Sequence, residues 1–335
     1  MNSTELEELK TSVPKECIFS CTSSFVLVHF NRTKYRRLGV AIQAPEDYPD
    51  VALFAQLKSN TLPPALLKKL EEKLSDSLEA ARGSPQVLLA VESVRRFLDD
   101  NALIAAWSEL KEISSMMAKK PPTFTFKLNQ KTGNLKLDLK QGEYEFKCTV
   151  SVPLLYPEEP PTVSKLETSF GRLWEVVFQS LANEKARFLC HGPVKPKPNE
   201  PPYVEQASLL PMVRFLVEEC MEYYTTGKCA LCGKALFPSQ PKDMLRMPPN
   251  HPLCPVRLYC SHVFHFGCVD SLMRKPPFTT GKECKVCKKL IYHKQWSSDL
   301  KANEKNWAME EARQREIGDV ADFLQVKEFA DLCMD

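Results

Sequence analysis

The segment Tyr259-Cys260-Ser261-His262-Val263-Phe264-His265-Phe266-Gly267-Cys268-Val269 brings four Cys or His residues close together in the chain. Thiolate and neutral imidazole are ligands that zinc prefers, and two of them separated by one or two residues can reach one metal ion. The spacing therefore predicts two ligand pairs, Cys260 with His262 and His265 with Cys268.

Two Cys-x-x-Cys pairs flank this segment, Cys229 with Cys232 before it and Cys284 with Cys287 after it. Eight ligands suffice for two tetrahedral zinc sites. One such pair would be a weak signal, but four pairs in one region are a strong one, and seven of the 13 Cys residues lie in it. Because the region has too few apolar residues to fold unaided, we expect two Zn²⁺ ions here instead of scattered buried thiols.

Composition limits the cellular setting and the class of partner. Residues Met1–Lys10 are polar and acidic, unlike a secretory signal, and no apolar run reaches membrane-spanning length. We therefore expect a reducing compartment, the cytoplasm and/or the nucleus, and no membrane partner. A net charge of +3 on 335 residues is too small to predict direct nucleic-acid binding.

Upstream of residue 227, strand and helix patterns occur in the same order twice. Alternating apolar residues predict two strands within 17–43 and an apolar run follows at 51–57. Leucines at helical spacing predict a helix over 64–83 and another that continues from 87 to 117. The first half of the chain therefore reads as strands followed by helices.

The second set begins with a predicted three-strand antiparallel meander between residues 124 and 150. An amphipathic segment (173–181), a Pro-rich surface loop (193–202) and a helix (209–224) follow. Two sets in this order predict two α+β units in tandem. After them, a charged helix is expected over 303–329, with Trp307, Ile317, Val320 and Phe323 packing back on the body.

Residues 229–290, and above all 259–269, resemble the RING-H2 domain of ubiquitin ligases. That family implies a cross-brace, in which the first and third ligand pairs bind one zinc and the second and fourth bind the other. The resemblance thus implies site one (Cys229, Cys232, His265, Cys268) and site two (Cys260, His262, Cys284, Cys287).

One ligand position stays open, because Cys254 stands six residues before Cys260. A Cys in that place would replace His262 in a PHD finger, although such fingers usually carry Trp where this chain has Lys282. It would also replace His262 in the Fanconi anaemia type of RING ligase. We favour His262, because the Cys-x-His-x-x-His-x-x-Cys string is complete.

In the RING family the domain forms no covalent bond with ubiquitin and binds a ubiquitin-charged E2, so catalysis is by positioning. The positions that match its E2 contacts are Leu231, Leu272, Lys285 and Lys288. Lys288 follows the last ligand, where the family commonly has a cation that bridges E2 and ubiquitin. The chain departs from the family at Leu272, where Trp is frequent, and at Lys285, where Pro is frequent.

Tyr156-Pro157-Glu158-Glu159-Pro160-Pro161 resembles the YPxxxP turn of RWD domains, which are non-catalytic relatives of E2 enzymes. Tyr48-Pro49 resembles a degenerate copy of this turn. Neither unit has a His-Pro-Asn before an acceptor Cys, so the resemblance implies partner recognition. Tandem units of this kind ahead of a RING resemble Fanconi-type ligases, and other RWD-plus-RING ligases are equally close.

The expected fold is α+β: RWD-like (UBC-related) domains at 1–118 and 119–226, a RING-type zinc finger at 227–294 and a charged helical tail at 295–335. The expected function is an E3 ubiquitin-protein ligase that recruits E2 through the RING and a protein substrate or scaffold through the RWD-like domains. A non-catalytic zinc-dependent adaptor is the alternative, which the two departures from the family keep open.

Overall fold

The computed structural model describes residues 1–195, 201 and 203–332. The chain divides into two compact units, Met1–Met221 and Glu222–Asp335. Across the described ranges, every helix is too short or too polar to cross a bilayer.

The first half of the Met1–Met221 unit is a four-stranded antiparallel sheet with helices on one face. In chain order its elements are α1 (Ser3–Ser12), β1 (Ile18–Cys21), β2 (Phe25–Thr33), β3 (Arg36–Gln43), β4 (Phe54–Lys58), α2 (Pro64–Ala80) and α3 (Val87–Asp100). Alternate strand residues such as Val28, Val40 and Leu57 are buried in one core with Leu78 and Val91 of the helices. This alternation is why the strands pack through one face only.

The second half repeats that order. Its elements are α4 (Trp107–Met117), β5 (Phe124–Asn129), β6 (Asn134–Gln141), β7 (Tyr144–Ser151), β8 (Thr162–Thr168), α5 (Arg172–His191) and α6 (Leu209–Arg214). α6 runs on as a π-helical stretch (Phe215–Tyr223) and then as α7 (Tyr224–Thr226). Phe146 of β7 packs against Phe178 of α5, with ring centroids 6.0 Å apart.

In the first half, a Tyr–Glu pair holds the start of the last helix. The Tyr48 hydroxyl donates to Glu5 Oε1 at 2.5 Å. The same Glu5 oxygen accepts from the backbone N–H of Gln86 (2.8 Å) and of Val87 (2.9 Å), at the start of α3. Among the described residues, the Tyr48 hydroxyl accepts only from Gln86 N–H, at 2.8 Å. A buried carboxylate thereby satisfies helix N–H groups that have no partner within the helix.

The second half contains the corresponding pair, in which the tyrosine and not the glutamate accepts from two helix N–H groups. The Tyr156 hydroxyl donates to Glu109 and accepts from the backbone N–H of Ser208 (2.8 Å) and Leu209 (3.0 Å). Glu109 accepts from Leu210 N–H at 2.9 Å. Burial raises the pKa of Glu109, and burial together with Glu109 raises the pKa of Tyr156.

The predicted helix from residue 87 to 117 is wrong as a single element. α3 ends at Asp100, where the Asn101 side chain donates to the Phe97 carbonyl at 2.7 Å, and a 3₁₀ turn follows (Ala102–Ala106). α4 is a separate helix that joins the second half through Glu109. The expected domain boundary at 118/119 therefore separates α4 from the elements that it contacts.

β1 and β8 are strands that the sequence pattern does not predict as separate elements. β1 precedes the expected pair, and β8 follows the expected three-strand meander and pairs with β7. β1 is only four residues long, and β8 presents polar residues between Val163 and Leu166, so neither gives a clear apolar alternation. The predicted Pro-rich loop at 193–202 lies partly outside the described residues.

The Glu222–Asp335 unit has little regular structure before its last helix. α8 (Pro241–Arg246) precedes a hairpin of β9 (Pro255–Arg257) and β10 (Val263–His265), then α9 (Phe266–Arg274) and α10 (Leu300–Leu332). The predicted packing of the tail is largely wrong. Trp307 contacts Phe278 at 6.1 Å between ring centroids, but Ile317, Val320 and Phe323 are exposed.

Candidate metal centre and adjoining groove

The structure gathers the eight Cys and His residues into two groups of four. In each group the ligand atoms lie within 4.8 Å of one another, which is compatible with a shared metal ion. The groups are Cys229, Cys232, His265, Cys268 and Cys260, His262, Cys284, Cys287. The chain alternates between the groups, as the cross-brace requires.

The first and last ligand pairs are built on the same turn. Gly233 N–H donates to Cys229 O at 2.8 Å, and Lys288 N–H donates to Cys284 O at 2.9 Å. The residue after the second Cys has a positive φ in both turns, 72° at Gly233 and 59° at Lys288. Glycine adopts this conformation freely, whereas a lysine does so at a cost.

The two middle pairs come from the hairpin and the helix after it. His262 lies in the β9–β10 connection, and His265 ends β10 directly before α9. His265 Nδ1 lies 3.2 Å from Cys232 Sγ, while its Nε2 lies 2.9 Å from the Ala235 carbonyl oxygen. A proton on Nε2 donated to that carbonyl leaves Nδ1 free to bind a metal, the arrangement usual for histidine ligands.

The thiols in these groups need a cation if several are to ionise together. Burial and the neighbouring cysteines raise the pKa of Cys268 to about 12 and that of Cys260 to about 11. A divalent ion favours the thiolate form and so offsets both causes. The donor set, rich in sulfur with one imidazole per site, fits zinc.

Cys254 lies outside both groups. It is buried, its Sγ lies 4.0 Å from the Pro255 carbonyl oxygen, and burial raises the pKa of its thiol. Its own carbonyl oxygen accepts from Phe266 N–H at 2.8 Å. The geometry therefore brings His262 to the second group and leaves Cys254 as a packed thiol beside the hairpin.

Two of the four expected E2-contact residues share an open groove. Leu231 and Leu272 line it together with Pro252, Leu253 and Pro276, which the sequence reasoning missed. Pro252-Leu253 lies in a Pro-rich loop without apolar periodicity, so the sequence offered no signal for it.

The other two expected contact residues lie elsewhere on the surface. Lys285 and Lys288 are exposed on the last turn and are not part of the groove lining.

A Cβ on Gly267 would come within 3.0 Å of Pro252, so glycine is what lets α9 and the Pro252 loop approach each other. The groove depends on that approach.

The comparison with protein families concerns the first half of the larger unit. No curated protein matches the chain. The family model of the RWD domain matches residues 2–98, which run from α1 through the first sheet to α3 and include the Glu5–Tyr48 pair. The N-terminal part of the chain, residues 2–98, is therefore an RWD domain.

Proposed function

We propose that this protein is an E3 ubiquitin-protein ligase. Its Cys/His module holds two zinc ions and recruits a ubiquitin-charged E2, and its α+β unit binds a substrate or scaffold protein. The observation that carries the proposal is the pair of interleaved Cys/His groups beside an open apolar groove. Such a ligase needs no covalent residue, because it accelerates transfer by holding two proteins together.

The groove has the chemistry of a small protein-binding site. Leu231, Leu253 and Leu272 supply partly exposed apolar surface, and Lys234 and Lys275 add cations to the lining. Apolar anchors surrounded by charged residues are typical of transient interfaces, in which a few side chains carry most of the binding energy. An E2 loop with apolar and acidic side chains fits this groove.

The backbone at Lys288 supports a role for its side chain. A lysine with φ of 59° costs about 1 kcal/mol or more relative to glycine, which occupies the matching place at Gly233. Lys288 is exposed directly after the last ligand, where its ammonium group can reach a bound partner. The cation that bridges E2 and ubiquitin in RING ligases is the function we assign to it.

The second half of the Met1–Met221 unit is proposed as a second RWD-like domain. Its element order and its Glu109–Tyr156 pair repeat those of the RWD domain. Cys190 does not resemble an E2 nucleophile, because it is buried with its Sγ 3.3 Å from the Pro157 carbonyl oxygen. Both halves therefore serve recognition, in the arrangement of Fanconi-type and related ligases.

Autoubiquitination with a panel of E2 enzymes tests the proposal. Leu231→Ala and Leu272→Ala should each lower ubiquitin transfer at least about tenfold, as expected for an interface anchor. Both variants should keep two zinc ions per chain. Val286→Ala is the matched control, because Val286 holds the place of Leu231 in the last Cys-x-x-Cys turn and is 50% exposed.

The adaptor function is the second candidate, favoured by Leu272 and Lys285 in the places where the family often has Trp and Pro. A zinc-loaded, folded chain that transfers no ubiquitin with any E2 would establish the adaptor and refute the ligase. Equal loss of transfer in Leu231→Ala and Val286→Ala would show that the groove is not the E2 site.

A further inference from the structure

The first sheet carries a furrow on the face opposite its helices. The floor of the furrow is the central strand β3, where Gly39 and Ala41 offer almost no side chain. At one end Phe25 of β2 and Phe54 of β4 stand on either side, because both pair with Gln43. The small residues of β3 thus lie between larger side chains on both neighbouring strands.

The end of the furrow near Gln43 is open to solvent and carries an exposed aromatic ring on each side of the polar Gln43. Phe54 is 65% exposed and Phe25 is 36% exposed. Leu27, which pairs with Ala41, continues the apolar surface along β2. Exposed phenylalanines grouped on one sheet face are uncommon on a soluble domain and typically mark an interaction site.

The other end of the furrow is cationic. Arg37 of β3 and Lys58 of β4 line a depression there together with His29, whose ring lies over Gly39. Among the residues that the structure describes, no carboxylate forms an ion pair with Arg37 or Lys58. These two charges therefore remain available to a binding partner.

The corresponding face of the second sheet shows that the topology does not require such a surface. There Lys140 pairs with Glu145 at 3.2 Å, and Lys165 pairs with Glu167 at 2.8 Å. That face presents polar and charged residues, among which Lys127 and Lys136 have no ion pair within the described part of the chain. Exposed phenylalanine rings beside unpaired cations are what distinguish the outer face of the RWD domain.

We propose that the furrow binds an extended acidic segment of a partner protein. An apolar side chain of the segment packs over Gln43 against Phe25 and Phe54, and its carboxylates reach Arg37 and Lys58. Phe54 and Lys58 are four residues apart on β4, or about 13 Å, so the apolar and acidic side chains are spaced similarly in the segment. The inference rests on the proposed function only in identifying the partner as a ligase substrate or scaffold.

The test uses two labelled ten-residue peptides and the full, zinc-loaded chain. One peptide carries Leu followed four and five residues later by Asp and Glu, and its counterpart carries Lys and Arg in those two places. We expect the acidic peptide to bind at least about tenfold more tightly, with an affinity that falls as salt is raised. Phe54→Ser should weaken it about tenfold, which corresponds to the loss of one apolar anchor.

Reversing the charges of the furrow distinguishes a loss of charge recognition from a loss of folding. Arg37→Glu combined with Lys58→Glu should invert the preference in favour of the basic peptide, an outcome that simple destabilisation would not produce. The matched control is Lys127→Glu with Lys136→Glu, a cross-strand pair on the outer face of the second sheet, which should leave binding unchanged.

Four results would overturn the inference: binding of neither peptide, equal binding of both, displacement of the acidic peptide by single-stranded RNA, or self-association lost in Phe54→Ser. Each would assign the furrow to another occupant or to none. Autoubiquitination needs neither peptide, so loss of peptide binding with transfer intact refutes this inference alone. Peptide binding without transfer refutes the proposed function alone.

Discussion

The folds of the two compact units are stabilised by different kinds of interaction. In Met1–Met221, two sheets and their helices bury large apolar cores, and each half adds a Tyr–Glu pair at the start of its last helix. In Glu222–Asp335, the segments before α10 are short, and eight Cys and His side chains meet in two groups. Apolar burial stabilises the first unit, whereas the second has two Cys/His groups that could hold metal ions, and we expect its fold to depend on them.

Removing zinc is the most direct way to break this comparison. A chelator should unfold the Cys/His module and leave Met1–Met221 folded, since structural zinc contributes about 10–16 kcal/mol to small domains. Circular dichroism should then retain the sheet signal while the module loses its protection from hydrogen exchange. Global unfolding on chelation would show that the larger unit also depends on metal.

Substitution of single Cys and His residues tests which side chains bind metal within the module. His262→Ala should lower the zinc content from two ions towards one, because His262 lies in the second group. Cys254→Ala, the matched control, should leave the zinc content at two because Cys254 lies in neither group. Elemental analysis decides, and the reverse result would assign Cys254 as the ligand.

The two Tyr–Glu pairs predict unequal losses of stability. Tyr156→Phe removes the hydroxyl that accepts from Ser208 and Leu209 N–H, and should cost about 2 kcal/mol. Tyr48→Phe should cost less than about 1 kcal/mol, because Glu5 still accepts from both helix N–H groups. Denaturant unfolding in excess zinc measures both, and equal losses would refute this difference between the two pairs.

The buried carboxyl of Glu109 gives the larger unit a pH dependence. Burial raises its pKa above the ordinary value of 4.5, so the folded protein holds this proton more strongly than the unfolded chain does. The resulting stability is present below pH 4.5 and is lost as the pH rises through the folded-state pKa. Relative to Glu109→Gln, the wild type should therefore lose stability as the pH rises above 4.5 and through the folded-state pKa. A constant difference between the two proteins would contradict this origin.

The smallest expected effect distinguishes the two Cys-x-x-Cys turns. Lys288→Gly should stabilise the zinc-bound module by about 1 kcal/mol, because it relieves the positive φ. The same variant should lower ubiquitin transfer. Gly233→Ala is the reciprocal change and should destabilise the module by about 1 kcal/mol. Chelator competition measures both, and a destabilised Lys288→Gly would contradict the cost assigned to this backbone.

The sequence predicted those features of the structure that depend on residues close together in the chain. Ligand spacing identified the four Cys/His pairs, because ligand pairs are local in the chain. The resemblance to RING domains implied how these pairs combine into two groups. Strand alternation found β2, β3 and β5–β7, but β1 is too short and β8 too polar for that signal. The sequence did not predict that α3 ends before Asn101, because apolar residues continue from α3 into α4. The hydrogen bond from the Asn101 side chain to the Phe97 carbonyl marks that end.

Long-range contacts lay beyond the sequence signals. The Glu109–Tyr156 bond joins residues far apart in the chain, and no periodic pattern marks either of them as a partner. The groove combined residues from a loop, a turn and α9, of which only Leu231 and Leu272 matched a family position. The prediction that the tail packs on the body was wrong because the sequence carried a misleading signal. Its apolar spacing suggested packing, but most of those apolar side chains are exposed.

The interleaved order of the ligand pairs has a consequence for proteolysis. The loop closed by the first metal site, 229–268, overlaps the loop closed by the second, 260–287. With both ions bound, a cut anywhere between Cys232 and Cys284 leaves two fragments that are still joined through a metal. A nick in the segment around Pro241–Arg246 would thus be invisible in a native gel and would separate the pieces only after chelation. With two ions bound, each metal site would join the parts of the chain that a cut within the other site's loop separates.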